Sequence, residues 1–502
     1  MPITMASDHT LLLADESPIL YRSGTEQIAT PFKRHSANPV IAQDHPWEEA
    51  IGWSSVYRHP QTGKYQLWYQ GYAKDQVPSR TQDHPVCYAE SDDGIHFEKP
   101  MFDFFPLKGS PRNNIVMLGN GGYSYRYGCW VVVDHKSTDS SRRYKMSYFD
   151  FSGEGDQENP GLHVAFSPDG IHWTKHDEAP LSLMSHGRGK YAPDLPFSDD
   201  TQTPWLRPLT MSDAVDCFYD PIRRKYAIYG KMWIDSPDGN MFWKHAMGRI
   251  MSEDFIHWSE PELLIAPDDN DPPSVEFHAA PVFYHQGYYF SLLQILDRAE
   301  GGGVIEIELA ISKDGDHWLR PFQNQFVLPR GAEGSFDSGS IFTNASPVIL
   351  EDEIRFYYGG YSGGATNPAG RGKLSGMGMA SIPRDRFTGI RSLARSDQPT
   401  LKQPLEHRGQ VTLKSIDLTS VESITLNADA SEGSIQVEIL TASGYRLKGY
   451  SQEGAVSISG DNLRHEISWK NFTLGDLPAG SYLIRIHLNR ATVYALTLKS
   501  KS

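Results

Sequence analysis

Residues 167–173 read SPDGIHW, and the same pattern occurs three more times along the chain. The other copies are SDDGIHF at 91–97, SEDFIHW at 252–258 and SKDGDHW at 312–318, and a weaker fifth is SIPRDRF at 381–387. An Asp-Gly pair favours a tight turn between two strands, and the aromatic residue after the histidine can pack the next strand against its neighbour. The repeated turn therefore predicts one structural unit for each copy.

Alternating apolar segments precede each copy, and helical periodicity is nearly absent between residues 40 and 400. The spacing of the copies suits a four-stranded antiparallel sheet with long loops. We therefore predict an all-β fold in which residues 1–400 form a five-bladed β-propeller with an N-terminal extension. The predicted blades are residues 40–105, 113–180, 206–265, 273–325 and 335–395. Stacked sandwiches are the alternative, but they would not explain a common turn in each unit.

The sequence changes character beyond residue 405, where the repeat is missing. Short alternating strands such as 434–439 and 482–488 are separated by Ser-Gly and Pro-Ala-Gly turns. Residues 405–502 are therefore predicted to form a C-terminal β-sandwich domain. This domain is also the candidate interface of a homo-oligomer.

Composition excludes several functional classes. The chain has 502 residues, 39% of them hydrophobic, and a net charge of −15, which predicts a globular protein with an acidic surface. Such a surface repels nucleic-acid phosphates and anionic lipids, so neither nucleic acid nor a membrane is an expected partner. The three cysteines lie far apart, and the first thirty residues hold only a short apolar run. We therefore expect no disulfide framework and a cytoplasmic location.

The repeated turns, the opening Asn38-Pro39-Val40 and the closing segments 336–339 and 357–360 resemble the five-bladed propeller glycosidases. The chain resembles proteins similar to the N-terminal part of glycoside hydrolase family 32, with families 43, 68 and 130 as relatives. The resemblance implies a glycosidase that acts on a carbohydrate and carries a C-terminal β-sandwich. The Asn-Asp-Pro-Asn, Arg-Asp-Pro and Glu-Cys boxes of family 32 are missing here, which argues against sucrose or fructan hydrolysis.

Propeller active sites lie at one end of the central channel, where each innermost strand starts. Acids that precede or begin an innermost strand, and one that opens a third strand, are therefore the catalytic candidates. They are Glu48, Asp216, Glu276, Glu306 and Asp337. Glu49 and Asp213 lie at the same end, and a one-residue shift of the strand would bring Asp213 or Cys217 inward in place of Asp216. Glycosidic cleavage needs one protonated acid and one ionised carboxylate, and Glu276 is the favoured proton donor.

Other acids and histidines are predicted to hold turns at the opposite end of the channel. Asp134 and Asp220 lie in turns between first and second strands, and the remainder belong to the repeat. The repeat residues are Asp93, Asp169, Asp254, Asp314, His96, His172, His257 and His317.

Aromatic and planar polar residues near the predicted site fit a sugar, whose faces stack on rings and whose hydroxyls need hydrogen-bond partners. The candidates are Trp47, Trp233, His278, Gln294 and Tyr361, and core packing is the alternative for each. Blade two has no acid in its innermost strand. Either Asp150 or Asp156 replaces it, or a different set of acids reacts, or the protein hydrolyses nothing.

The leading hypothesis is a glycoside hydrolase that cleaves a short oligosaccharide or glycoside by paired-carboxylate chemistry. A glycosyl-transferring or phosphorolytic enzyme is one alternative, and its phosphate pocket would have to use Arg126, Lys190 and Arg207. A non-catalytic carbohydrate-binding protein is the other. No cofactor or metal site is predicted because no His, Asp and Glu spacing is diagnostic, although a structural calcium ion in the channel stays open.

Overall fold

The computed structural model describes residues 8–73, 84–107, 109–119, 127–152, 159–184, 211–239, 243–299, 302–365, 374–394 and 405–501. Within these ranges the regular structure is β-strand, apart from short 3-10 turns such as Ser140–Arg142 and Leu474–Asp476. No helix in this part of the chain is long and apolar enough to cross a membrane. Cys87, Cys129 and Cys217 are buried and free.

The chain divides into two compact units. The propeller unit is Phe32–Val348 with Arg355–Ser381, and the terminal unit is Met1–Pro31, Ile349–Ile354 and Ile382–Ser502. The strands are, in chain order, β1 (His9–Leu12), β2 (Ile19–Ser23), β3 (Thr25–Ala29), β4 (Lys33–Arg34), β5 (Ile41–Ala42), β6 (Ala50–Arg58), β7 (Tyr65–Tyr72), β8 (Val86–Ser91), β9 (Ile115–Met117), β10 (Tyr127–Val133), β11 (Tyr144–Ser152), β12 (Asn159–Ser167), β13 (Thr174–Lys175), β14 (Ser182–Leu183), β15 (Cys217–Asp220), β16 (Lys225–Ile234), β17 (Lys244–Ser252), β18 (Glu262–Ile265), β19 (Val275–Ala279), β20 (Val282–His285), β21 (Tyr288–Asp297), β22 (Val304–Ser312), β23 (Trp318–Leu319), β24 (Ser340–Phe342), β25 (Val348–Ile349), β26 (Glu353–Tyr361), β27 (Ser375–Pro383), β28 (Thr388–Ser392), β29 (Arg408–Leu413), β30 (Ile416–Asp417), β31 (Val421–Thr441), β32 (Ile458–Glu466), β33 (Ser481–Asn489) and β34 (Thr492–Ser500).

The strands of the propeller unit pair mainly with their neighbours in the chain. β6–β9, β10–β14 and β15–β18 form three antiparallel sheets. A larger sheet begins with β19–β23 and continues, through one parallel pairing of Ile305 with Ser340, into β24–β27, where β4 and β5 join. The predicted all-β class is confirmed. The number of blades stays a prediction, in which each of the three separate sheets is one blade and the larger sheet supplies the other two.

Side-chain hydrogen bonds link these sheets in a closed ring. In order they join Ser55 to Val131 (3.3 Å), Ser147 to Val215 (2.8 Å), Tyr289 to Asp220 (3.0 Å), Thr343 to Leu292 (2.9 Å) and Asn344 to Ser54 (3.1 Å). The last link returns to β6, the strand at which the first began. Sheets that contact one another in this cyclic order surround an axis, as the blades of a propeller do.

The repeated turn is held by its own side chains. In the second copy the Ser167 hydroxyl accepts from the N–H of Gly170 at 2.9 Å, and Asp169 Oδ1 accepts from the N–H of His172 at 2.9 Å. His172 Nδ1 lies 2.7 Å from Asp169 Oδ2, and its side chain is 64% exposed. The other three full copies make the same bonds. The prediction that these acids and histidines hold turns is confirmed.

The glycine of each turn contacts the preceding sheet. Gly170 has a φ of +83°, and its carbonyl accepts from Trp68 Nε1 of β7 at 2.6 Å. A Cβ at Gly170 would lie 2.6 Å from the Trp68 ring, so the close approach and the left-handed backbone both favour glycine. Equivalent bonds join Tyr357 to the carbonyl of Gly94 (2.7 Å) and Arg249 to that of Gly315 (2.9 Å).

The third copy has phenylalanine at the glycine position. Phe255 also adopts a left-handed conformation, with a φ of +72°. Its buried ring packs at a centroid distance of 6.1 Å from Phe166 of the preceding sheet and 5.1 Å from Tyr226 of its own. Apolar contact here replaces the carbonyl hydrogen bond that the other copies make.

The terminal unit contains strands from both ends of the chain. β1 pairs with β34, β2 with β29, and β3 with β28, so the division differs from the predicted boundary near residue 400. The cause is apolar burial: Leu11, Leu13 and Ile19 belong to the same core as Val411 and Leu496. The N-terminal extension therefore belongs to the C-terminal sheet.

We expect His172→Ala to lower the thermal midpoint by about 1–3 °C, because one exposed hydrogen bond is lost while Asp169 keeps its backbone donors. Turnover per folded molecule should not change. Calorimetry together with an activity assay on the folded fraction measures both. Gly170→Ala is the contrast variant and should cost several times more, since it strains the backbone and crowds Trp68. A large loss of turnover in folded His172→Ala would contradict a purely structural role.

Candidate active site

Trp53 lies at an irregularity in β6, the innermost strand of its sheet, and contacts rings from three other strands. Its φ is +39°, at a β-bulge in the pairing with β7. The indole stacks on His278 with ring centroids 5.5 Å apart, and it also contacts Trp130 at 5.5 Å and Phe342 at 4.8 Å. These rings come from four different strands: β6, β10, β19 and β24. A bulky residue in a left-handed conformation is strained, and strain of this kind clusters at functional sites.

Sequence reasoning missed Trp53. The available signal was Gly52 followed by a large aromatic residue inside a strand, a combination that is typical of a bulge. Of the predicted ring partners, Tyr361 does reach this group, since its ring lies 4.8 Å from that of Phe342. Trp47 does not, because its Nε1 donates to Asn114 at 2.8 Å in a buried packing contact.

A charged pair lies near His278. Lys231 Nζ of β16 is 2.5 Å from Asp213 Oδ1, and the two side chains are only 8% and 18% exposed. Burial and the charge of Lys231 lower the pKa of His278 to about 3, so this imidazole is neutral at physiological pH. His278 Nδ1 lies 3.1 Å from Gln294 Oε1, which makes Nδ1 the donor and leaves Nε2 as the acceptor.

Glu276 of β19 is anchored from two sides. Its Oε2 accepts from the backbone N–H and from Nδ1 of His245 at 3.0 and 2.9 Å, and its Oε1 pairs with Arg298. Burial raises the pKa of Glu276, but the bonds from His245 and the charge of Arg298 outweigh burial and lower it to about 2. The carboxylate is ionised at neutral pH. This is the opposite of the protonated form that the proton-donor hypothesis requires.

His245 connects the two charged pairs. Burial lowers its pKa despite the bond to Glu276, and the charges of Asp213 and Lys231 also act on this imidazole. Trp233 covers the ring at a centroid distance of 3.6 Å. Glu276 and the predicted Trp233, His278 and Gln294 therefore lie in one cluster, and Asp213 joins them.

Asp216 is a buried acid that has no charged partner among the described residues. Its Oδ2 accepts one hydrogen bond, from the N–H of Ala345 at 2.9 Å. Burial raises the pKa of Asp216 well above its ordinary value, so this carboxyl keeps its proton to a much higher pH than an exposed aspartate. Asn344, the residue before Ala345, donates a hydrogen bond to Ser54, the residue after Trp53. This contact connects the surroundings of Asp216 to the aromatic group around Trp53.

Two other predicted acids serve as structural anchors. Glu48 accepts from Tyr69 at 2.5 Å and from Lys99 at 2.9 Å, and it also binds the backbone of its own loop. Asp337 accepts from Arg34 at 2.8 Å and from Tyr358 at 2.9 Å. Both carboxylates are buried and accept several hydrogen bonds, and these contacts hold the surrounding loops. A catalytic role for either acid stays a prediction.

Glu306 lies on a different face of its sheet from Glu276. Residues that pair across strands share a face of the sheet, and Glu306, Ile295 and Phe277 form one such row. Glu276 precedes Phe277 in β19, so its side chain lies on the opposite face. Its Oε1 accepts from the N–H of Arg330 at 3.1 Å. The structure therefore does not bring Glu306 into the cluster.

Blade two contributes Asp150, which is fully buried on β11 and acts electrostatically on His163. Asp156 and the proposed phosphate ligands Arg126, Lys190 and Arg207 lie outside the described residues. Within the described ranges no three His, Cys, Asp or Glu side chains converge as ligands for a metal ion.

No protein-family model matches the chain. A curated relative, A type blood N-acetyl-alpha-D-galactosamine deacetylase of Flavonifractor plautii, is 37% identical over 76 residues. Those residues are 14% of this chain, and the chain spans only 10% of the length of that relative.

Solved structures match over a longer part of the chain. A glycoside hydrolase is 14% identical with a TM-score of 0.47, covering 70% of this chain and 92% of that one. A family 130 structure, described with hydrolases that target beta-1,2 mannosidic linkages in Candida mannan, is 17% identical with a TM-score of 0.44, covering 70% and 94%. A thermostable family 43 glycoside hydrolase is 16% identical with a TM-score of 0.42, covering 73% and 99%. Families 43 and 130 are among those that the sequence resembles, and the likeness to family 32 stays a prediction.

We expect Asp216→Asn to stabilise the protein at neutral pH. The pKa of Asp216 is higher in the folded protein than the ordinary value of 3.8 that applies to the unfolded chain. Its contribution to the free energy of unfolding is therefore complete below pH 3.8 and is lost as the pH rises toward the pKa of the folded protein. The amide keeps an acceptor for Ala345 and never ionises. The thermal midpoint of the variant should exceed that of the wild type by about 2–4 °C at pH 8 and match it at pH 4.

The control for this experiment is Asp213→Asn, which removes the partner of the buried Lys231 and should lower the midpoint. Calorimetry between pH 4 and 8 measures both variants. A wild type that is more stable than Asp216→Asn at pH 8 would contradict the assignment of Asp216 as a buried acid without a charged partner.

Proposed function

We propose that the protein is a glycoside hydrolase whose reacting carboxyl groups are Asp216 and Glu276. The observation that carries the proposal is the opposite state of these two acids, both buried at the start of innermost strands. Burial raises the pKa of Asp216 and outweighs its one backbone hydrogen bond from Ala345, whereas Glu276 is held ionised by His245 and Arg298. Titratable groups whose surroundings push their pKa values apart form the acid and base of many active sites.

The proposed roles follow from these states. Asp216 donates a proton to the glycosidic oxygen as the bond to the anomeric carbon breaks. Glu276 supplies the negative charge that stabilises the positive charge developing on the sugar, either directly or by deprotonating a water molecule. The bonds from His245 and Arg298 fix the orientation of Glu276, so the carboxylate does not have to reorganise during the reaction.

The neighbouring side chains suit a sugar as the substrate. Trp53 and Trp233 offer aromatic faces for the apolar side of a sugar ring. Asp213, Lys231 and His278 supply acceptor and donor atoms for hydroxyl groups within the same cluster. A short glycoside fits this arrangement better than a nucleotide, because Lys231 and Arg298, the described cations of the cluster, are already paired with Asp213 and Glu276.

Kinetics on substrates with different leaving groups test the roles. Asp216→Asn should slow glycosides with poor leaving groups by about 10²–10⁴-fold and spare activated aryl glycosides, which need little protonation. Glu276→Gln should slow both kinds by about 10²-fold or more. A panel of aryl pyranosides and furanosides, run beside an oligosaccharide library and read by mass spectrometry, supplies the substrates.

Glu306→Gln is the matched control, because Glu306 lies in the same blade but in a different row of side chains. It should retain wild-type turnover on both kinds of substrate. If Glu276→Gln cleaves both kinds at the wild-type rate, the ionised carboxylate of the reaction is not Glu276, and Asp213 becomes the residue to test.

Removal of an acetyl group from an amino sugar is a second candidate function. It rests on the 76-residue match to the N-acetyl-alpha-D-galactosamine deacetylase. Hydrolysis of an amide releases acetate and leaves the glycosidic bond intact. An acetate assay on N-acetylhexosamine glycosides, beside the reducing-sugar assay, separates the two reactions, and added phosphate with detection of sugar phosphates identifies a phosphorylase.

A further inference from the structure

The terminal unit carries an array of polar side chains on one face of strands β2, β29, β33 and β31. Pairing register places these side chains in three rows across the strands. The rows are Tyr21, Thr412, Arg485 and Glu438; Ser23, Gln410, His487 and Gln436; and Arg408, Asn489 and Ser434. The alternate residues Val411, Ile486 and Val437 are buried in the apolar core. One face of this sheet is therefore core, and the other is polar throughout the three rows.

A pocket of about 500 Å³ opens on this polar face. Gln452 forms one wall, since its Nε2 donates to Gln436 Oε1 at 3.2 Å while Gln436 Nε2 donates to the carbonyl of Gln452 at 3.1 Å. Leu405, which is 40% exposed, adds an apolar edge. The wall and the three rows are parts of one folded unit, so the concavity is built into the sheet and its adjoining loop.

The lining is rich in carboxamides. Gln410, Gln436, Gln452 and Asn489 each carry both a hydrogen-bond donor and an acceptor. Sugar hydroxyls also donate and accept, and adjacent hydroxyls match the spacing of the two atoms of a carboxamide. These side chains are partly exposed at the pocket and can therefore reach a ligand.

Charged side chains also belong to this face. Glu438 is fully buried and lies within 3.4 Å of Arg485, Arg446 and His487. Arg408 lines the pocket and has no ion-pair partner among the described residues. Arg408 is therefore the arginine of the pocket lining that is available to a ligand, whereas Arg485 and Arg446 pair with Glu438 outside that lining. A guanidinium binds a carboxylate through two parallel hydrogen bonds.

We propose that this pocket is a second carbohydrate-binding site, separate from the propeller chemistry, and that it takes an oligosaccharide containing a uronic acid. The carboxamides bind the hydroxyls, and Arg408 binds the sugar carboxylate. The exposed edge at Leu405 contacts the apolar side of a sugar ring. The proposal does not depend on the reaction proposed for the propeller unit.

Calorimetric titration of the full chain tests the site, with trigalacturonate as the acidic probe and galactotriose as the neutral one. The wild type should bind trigalacturonate more tightly than galactotriose, and salt should weaken that binding. Arg408→Gln and Gln436→Ala should each weaken it at least 10-fold. Lys499→Gln, which removes an exposed charge elsewhere in the terminal unit, and Glu276→Gln, which changes the propeller unit, should both retain it.

Several results would overturn the proposal. They are the absence of trigalacturonate binding, equal binding of galactotriose, competition by hexaglutamate at the same concentration, and retention of binding by both pocket variants. Unchanged melting curves for Arg408→Gln and Gln436→Ala show that lost binding is not lost folding. Loss of binding in Glu276→Gln alone would place the ligand in the propeller unit and would also overturn the second site.

Discussion

The propeller unit depends on one recurring contact, in which a side chain of one sheet binds the turn of the next. Trp68 holds the carbonyl of Gly170, Tyr357 holds that of Gly94, and Arg249 holds that of Gly315. A sheet with one apolar face could slide on its neighbour, since hydrophobic contact has no direction. A hydrogen bond to a fixed carbonyl has direction, so it sets the height and the angle of each sheet. Phe255 makes the corresponding contact by packing, at the cost of a left-handed backbone in a residue other than glycine.

The repeat was visible in the sequence because its interactions are local. Ser167, Asp169 and His172 bond one another within six residues, so their spacing alone predicts the turn. The strand order of the propeller unit followed from that spacing. The N-terminal strands did not, because only Leu11 and Leu13 hint at burial, and a short apolar run does not say which core receives it.

The candidate site was predicted less completely, since its properties arise between strands that are far apart in sequence. The rule that innermost strands start at the active end brought Glu276, Trp233, His278 and Gln294 together. The same rule could not predict which of Asp216 and Glu276 keeps its proton, because both acids are buried and their pKa values differ through their hydrogen-bond partners. His245 comes from β17 and Arg298 directly follows β21. The conformation of Trp53 depends on a bulge, which the alternation of apolar and polar residues does not reveal.

Burial alone therefore does not decide the chemistry of an acid in this channel; the number of donors around it does. Glu48 and Asp337 are surrounded by donors and hold loops, whereas Asp216 has a single backbone donor and keeps its proton. Glu276 also has several donors, but one of them, the His245 imidazole, packs against Trp233 of the candidate site. A carboxylate in that position stays ionised at the edge of the cluster, while the turns that fix the sheets lie elsewhere. On β17 both features occur in one strand, since His245 lies at its start and the repeated turn begins at Ser252, its last residue. Rigidity at the turn and buried, paired charges at the site are compatible because they are separated by the length of a strand.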